Sequence, residues 1–536
     1  MISLKFPFLR VNPFAAIICL LTFMSASPRA FSEDVLTYHN NNARTGLNSA
    51  ETTLTLSNVN STSFGKLFTL SVDGPVDAEP LYLSAVPISG NGTHNVLIVV
   101  TENDSVYAFD ADSGAEIWQI TALKAGETPS DDRGCGQVSP QIGITSTPVI
   151  GRPSRSNGVI YVVAMSKDSS GHYHQRLHAI DAATGDELYK GPVDIAAKYP
   201  GIGDSSSGGY VVFDPAQYKE RSGLLLLSGV VYLAWASHCD IRPYTGWIMA
   251  YDATTLAQKS VLNVTPNGNE GAIWGSGGGL TADSGGNIYF LDANGIFDTT
   301  LNSKGFPSRG DYGNAFIKLA TKGGLAVADY FEMENGPQES SGDVDLGSGG
   351  AIIVPEMKDT SGTEWHLAAG AGKDNNMYVV NRQSMGKFNP DSNNNYQFLS
   401  GVLPGGIWSM PAYFNGKLYF GPVSQPILGF QFSDAKLGTG AAVQTSNSFG
   451  YPGATPSISS NENKNGIVWA AENTNPAVLH AYNAETLLEL YNTSQASGGR
   501  DQFGAGNKFI TPMIVNGKVY VGTTSGVGVF GLLSGK

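Results

Sequence analysis

The sequence predicts an all-β fold: an eight-bladed β-propeller, a ring of four-stranded antiparallel blades. Three observations carry this expectation. The stretch Val106–Gln119, VYAFDADSGAEIWQ, recurs along the chain in progressively degraded copies. Before each copy stand further short apolar runs, the first usually opened by Pro or Gly. The composition favours strands and tight turns, with 66 Gly, 23 Tyr and 24 Phe against only 15% charged residues. No long segment carries the 3.6-residue apolar period of an amphipathic helix.

The repeat defines the blades in order. Clear copies are Leu177–Tyr189 (LHAIDAATGDELY), Ile248–Gln258 (IMAYDATTLAQ) and Leu479–Glu489 (LHAYNAETLLE). Met377–Lys387, Ala315–Gly324 and Leu428–Gly438 are weaker, and Gly526–Leu533 is truncated. Positions equivalent to Asp110 fall at 110, 181, 252, 319, 381, 431, 483 and 531, which makes eight units of similar size. An opening strand is visible in Ala78–Leu83 (AEPLYL), Thr145–Ile150 (TSTPVI), Trp408–Phe414 (WSMPAYF) and Phe509–Val515 (FITPMIV). A third run follows, as in VLIVVTEN and KVYVGTTS, so each unit reads as four antiparallel strands. The last unit lacks a fourth strand, and Phe64–Val72 (FGKLFTLSV) is spare at the other end. We expect this strand to complete the last blade and close the ring, because closure removes exposed sheet edges.

The N-terminus reads as a signal peptide over residues 1–32. Lys5 and Arg10 give the positive start, Phe14–Met24 the apolar run, and Ala30-Phe31-Ser32 the small-x-small cleavage site. Cys19 falls inside the removed segment. Residues 33–63 are expected to form a polar surface arm, including Tyr38–Glu51 (YHNNNARTGLNSAE), and residues 64–536 a single propeller. The mature chain is expected to be secreted or periplasmic, without a transmembrane segment, and monomeric. Its net charge of −14 and lack of basic runs argue against a nucleic-acid partner. In an oxidising compartment Cys135 and Cys239 form either one disulfide or two separate buried thiols.

The motif A-x-D-x-x-[ST]-G-x-x-x-W at Ala108–Trp118 resembles the repeat of quinoprotein-type eight-bladed propellers. That family includes the pyrroloquinoline-quinone (PQQ) dehydrogenases and the outer-membrane assembly factor of the same fold. The resemblance implies a ligand site at the mouth of the central channel, and for its catalytic members PQQ and calcium. Alcohol-oxidising members resemble one another in an adjacent cysteine pair, which this chain lacks; it also lacks a C-x-x-C-H haem site. Asp110, Gly114, Trp118, Asp181, Gly185 and Asp252 read as structural repeat positions. Asp caps the turn, Gly permits a positive φ, and Trp118, Tyr189 and Phe68 dock on a neighbouring blade.

Candidate sites follow from what the repeat does not explain. D-A-D-S-G resembles a calcium loop, but the slot degrades to D-A-T-T-L and N-A-E-T-L, as a turn would and a ligand set would not. His172, His174 and His178 read as a solvated hairpin rather than a metal site. Segments expected near the axis are rich in Gly and Trp: E-G-A-I-W-G-S-G-G-G, D-V-D-L-G-S-G-G and G-G-I-W-S-M. With G-A-G-K-D-N at Gly370–Asn375, they are expected to converge at one end of the axis. There Trp274, Trp408, Asp343, Asp345, Lys373, His238 and Asp240, with Cys135, would share a cleft as a ligand-binding group. The expected function is a binding or scaffold module for a protein, glycan or small ligand. The alternative is a PQQ- and calcium-dependent alcohol or sugar dehydrogenase.

Overall fold

The computed structural model describes residues 1–3, 7, 33–153 and 157–533. The expected signal peptide lies almost wholly outside the described residues. Among these residues, eight sheets of four or more strands follow one another along the chain. The first holds Leu81–Ile88, Gly92–Val100, Ser105–Asp110 and Glu116–Thr121, each antiparallel to the next. Val96–Val100 is buried on both faces, as a central strand with covered faces requires. Glu116–Thr121 is mostly exposed or half-buried and stands at the outer edge. The opening strands of the other sheets are Val149–Gly151, Leu225–Leu227, Thr281–Ala282, Ile352–Ile353, Ala412–Phe414, Ser457–Asn461 and Met513–Val515. A small accessory sheet, Lys198–Pro200 with Ser206–Ser207 and Tyr210–Val212, was not expected.

The repeat motif acts as a folding device. Asp110 Oδ1 accepts from the backbone N–H groups of Asp112 and Ser113, at 3.1 and 2.6 Å. Asp181 and Asp252 cap their turns in the same way. The following slot needs a left-handed residue and holds Gly114 (φ +78°), Gly185 (+79°) and even Leu256 (+56°) and Leu487 (+53°). A bulge recurs just beyond, at Ala108/Phe109, Ala250/Tyr251, Ala481/Tyr482 and Lys66/Phe68.

Phe64–Ser71 pairs antiparallel with Gly526–Leu532 and is the fourth strand of the last sheet. Contacts between consecutive sheets repeat across this point. Tyr161 Oη donates to Ala253 O and Tyr419 Oη to Ala484 O, both at 2.6 Å, linking second to third and sixth to seventh sheets. Tyr520 Oη donates to Ala111 O at 3.3 Å, linking eighth to first. Trp118 Nε1 donates to Ala182 O, and its ring covers the face of Gly185, where a Cβ would stand 3.0 Å from it. Phe68 covers Gly114 alike, with a Cβ only 2.8 Å away. Tyr189, at the third such position, is 38% exposed with φ +55°.

The N-terminal segment corrects the expected surface arm. Residues 35–48 touch the opening region of every sheet in turn. Tyr82 N donates to Val35 O, Ile150 N to Leu36 O, Ala282 N to Asn42 O and Ile353 N to Ala43 O. Tyr413 N donates to Thr45 O, Ile458 N to Gly46 O, while Asn48 Nδ2 donates to Ile514 O. The third sheet is reached through Asn42 Nδ2 to Leu226 O and Arg44 Nη2 to Leu224 O. The segment is polar because short opening strands leave backbone groups that it must satisfy. Arg44 is wholly buried and donates to Leu280 O, Thr37 Oγ1, Tyr38 O and Leu224 O.

Glu79 belongs to the same network and accepts from His39 N at 2.7 Å. Burial pushes its carboxyl up to about 8, and pushes His39 down to about 4. A carboxyl raised above its unfolded value stabilises fully below the unfolded pKa, and loses that contribution as pH rises through the folded pKa. The histidine contribution runs the other way and is complete above about 6.5. Stability is therefore expected to fall between pH 6.5 and 8.5, with up to about 1.4 kcal/mol per pH unit from Glu79. Urea unfolding at both pH values should show a smaller drop for Glu79→Gln than for the parent.

Candidate functional site

A cavity of about 280 Å³ opens among the loops that lead into the opening strands. Trp274 precedes the opening strand of the fourth sheet, Trp408 that of the sixth, Tyr451 that of the seventh and Phe509 that of the eighth. All four rings line the cavity. Successive centroids stand 6.1 Å apart from Trp274 to Phe509, 6.5 Å from Phe509 to Tyr451 and 6.4 Å from Tyr451 to Trp408. Each pair meets edge to face, an arrangement aromatic quadrupoles favour, so the rings stand as walls.

In the polar lining Lys373 Nζ bridges Asp343 Oδ1 and Asp345 Oδ1, each at 2.6 Å. Asp345 is 2% exposed and also accepts from Trp274 Nε1 at 3.0 Å. Burial raises the Asp345 carboxyl pKa, with Lys373 opposing. Burial alone would lower Lys373, but Asp345 and Asp343 outweigh it and hold the ammonium above the usual lysine value. Asp240 belongs to the same lining, accepting from Ser237 Oγ and Tyr244 Oη at 2.8 and 2.7 Å.

Lys219 and Arg221, carried by the lead-in to the third sheet, also line the cavity. Arg221 donates to Thr145 O at 2.6 Å and lies over the Phe509 ring at 5.6 Å. Lys219 makes no side-chain hydrogen bond or ion pair among the described residues. Burial, then the charge of Arg221, push its amine down to about 8. Behind them the buried Glu102 carboxyl is pushed up to about 10 by burial and by Asp77. The disulfide Cys135–Cys239, with Cα atoms 5.6 Å apart, ties two of the lining loops together. Tyr38 of the N-terminal segment reaches Thr511 Oγ1 at 3.2 Å, two residues past Phe509.

Of the residues nominated from sequence, Trp274, Trp408, Asp343, Asp345, Lys373 and Asp240 line this one cavity. His238 does not: its ring is 2% exposed and turned inward, and burial followed by the charge of Lys219 pushes it down to about 3. Lys219, Arg221, Tyr451 and Phe509 were missed. Tyr451 and Phe509 occupy the slot of Trp408, a few residues before a Pro-marked opening strand, so that signal was present. Lys219 and Arg221 precede an opening strand, Leu225–Leu227, with no Pro mark. His172 and His174 share Asp168 at a hairpin end, while His178 pairs with Glu187.

Comparison with known proteins supports the recognition made from the repeat. Residues 77–218 match the family model described as outer membrane protein assembly factor BamB. No curated protein matches the sequence. Among solved structures, the quinohemoprotein alcohol dehydrogenase of Comamonas testosteroni is similar at 14% identity and TM-score 0.60, covering 94% of this chain and 81% of that one. Quinohemoprotein alcohol dehydrogenase ADHIIG from Pseudomonas putida HK5 is similar at 14% identity and TM-score 0.61, with the same coverage. A europium-containing methanol dehydrogenase is similar at 13% identity and TM-score 0.60, covering 93% and 98%. The fold is all-β, built of successive four-stranded antiparallel sheets as in a propeller. The BamB-type match is confined to residues 77–218, and no helix of the described residues is long and apolar enough to cross a membrane. At these identities the likeness concerns architecture alone.

Proposed function

We propose that this PQQ-repeat propeller is an exported binding module whose cavity takes a small, flat, polar ligand. In this reading the eight sheets are blades of one ring, closed by Phe64–Ser71, with residues 35–48 sealing the axis beneath the cavity. The shared Tyr-to-Ala bonds and the Phe68–Gly114 contact across the first and last sheets support closure. Export rests on the charged start and apolar run of the N-terminus. The observation that carries the function is the meeting of four aromatic rings, from four separate loops, in one cavity also lined by Lys219, which has no ion-pair partner among the described residues. Apolar walls with a few fixed polar groups are the ordinary chemistry of small-ligand sites. A protein or glycan partner would dock over the same rim.

The second reading, PQQ- and calcium-dependent oxidation of an alcohol or sugar, draws on the dehydrogenases of similar fold. The cavity fits the two groups unequally. Lys219 and Arg221 would face acidic groups of the quinone, and Trp274 and Trp408 its flat body. A calcium ion takes six to eight oxygen ligands. Here the Lys373 ammonium already stands between the Asp343 and Asp345 carboxylates, and no group of three or more His, Cys, Asp or Glu among the described residues could hold a metal ion.

Titration with PQQ, with and without calcium, separates the readings when followed by tryptophan fluorescence and by dye reduction with alcohols and sugars. The binding-module reading expects calcium-independent quenching and no turnover. Trp274→Ala is expected to weaken binding about thirtyfold, the ~2 kcal/mol of an aromatic anchor. Calcium-dependent quenching with dye reduction would establish the dehydrogenase instead. Absence of any quenching would remove the cavity as a site for flat acidic ligands.

A further inference from the structure

We propose that Lys219 is a nucleophilic amine that captures an aromatic aldehyde in this cavity as an imine. The inference rests on the cavity being a ligand site and names the ligand chemistry. Lys219 is only 6% exposed and lines the cavity. The second cavity lysine, Lys373, is held by two carboxylates at 2.6 Å. Lys219 has no such partner within ion-pair or hydrogen-bond distance among the described residues.

The charged and titratable groups around it are few. Arg221 and Lys508 are cations, Asp77 and Glu102 are acids, and His238 lies behind. Asp77 and Glu102 oppose the cations, but burial and Arg221 outweigh them. Burial and Arg221 hold the Lys219 amine near 8, so a substantial fraction is neutral at physiological pH. Desolvated lysines beside another cation are activated in this way. The Trp274 and Phe509 rings offer an aromatic aldehyde a wall to pack against.

The chemistry is a balanced, non-redox condensation. The nitrogen lone pair attacks the carbonyl carbon, and the carbonyl π pair moves to oxygen, which takes up a proton. Loss of water from the resulting carbinolamine gives the C=N bond. One amine and one aldehyde become one imine and one water, and hydrolysis reverses the step.

The test uses the full chain with benzaldehyde and sodium cyanoborohydride at pH 7.5, followed by peptide mass spectrometry. Hydride adds to the imine carbon and leaves a benzyl group on the trapped lysine. Lys219 is expected to be labelled roughly tenfold faster than the exposed Lys124, which has neither the burial nor the neighbouring cation that activates Lys219. In Lys219→Met the fast label should vanish. Mapping on the parent protein decides the matter even if that variant fails to fold. Labelling of Lys219 no faster than Lys124, or of Lys373 first, would overturn the inference. If labelling fails while PQQ still quenches fluorescence, the inference falls and the cavity reading stands; if both fail, both fall.

Discussion

Arg44→Met is expected to lower stability by about 3–5 kcal/mol, the range for removing one member of a buried charged network. The guanidinium is wholly buried and bonds four oxygens drawn from the segment itself and from the third and fourth sheets. Methionine fills much of the volume but leaves those acceptors without donors, at about 1–3 kcal/mol each where no water reaches them. Arg44→Lys should rescue little, because an ammonium cannot fork to several carbonyls in fixed directions. Space is also tight: a Cβ on Gly279 would stand 2.6 Å from Arg44 Nη2. Urea unfolding measures the effect. A midpoint unchanged in Arg44→Met would mean that the segment merely lies along the sheets.

The second large effect concerns Phe64, at the start of the strand that completes the last sheet. Its ring is fully buried and lies 5.4, 5.0 and 6.5 Å from the rings of Trp469, Tyr491 and Phe530. Phe64→Ala is expected to cost about 3–5 kcal/mol through lost burial and the cavity left behind. Deleting Phe64–Ser71 altogether would bare the Gly526–Leu532 edge, and soluble aggregates are the expected result. Phe68→Ala should cost much less, because Phe68 is only half-buried against Gly114. Equal melting of parent and deletion variant would contradict the role given to this strand.

The repeat was legible because its devices are local. An Asp acceptor, a left-handed residue and a bulge act within a few positions, so Asp110, Asp181 and Asp252 announce themselves in one dimension. The strand Phe64–Ser71 was legible for a related reason: a unit short of one strand requires a partner, and one was spare. The segment around Arg44 was misread because its partners are backbone groups of eight different sheets, which no local pattern marks. Its Asn, His and Arg side chains look like solvated surface until those carbonyls and N–H groups surround them. At the site, Trp274, Trp408 and Lys373 were legible from their place before or between strands. His238 failed because its ring turns inward beside cavity-lining Ser237 and Cys239. Lys219 gains its character only from burial and from Arg221, both products of the fold.

Hydrogen–deuterium exchange of the full chain with and without saturating PQQ tests the central claim most directly. The cavity reading predicts slowed exchange in the lead-in loops around Cys135, Lys219, Trp274, Trp408, Tyr451 and Phe509, and little change elsewhere. Protection centred instead on the side cleft of Tyr199, Asn267 and Arg309, with the lead-in loops unchanged, would contradict it.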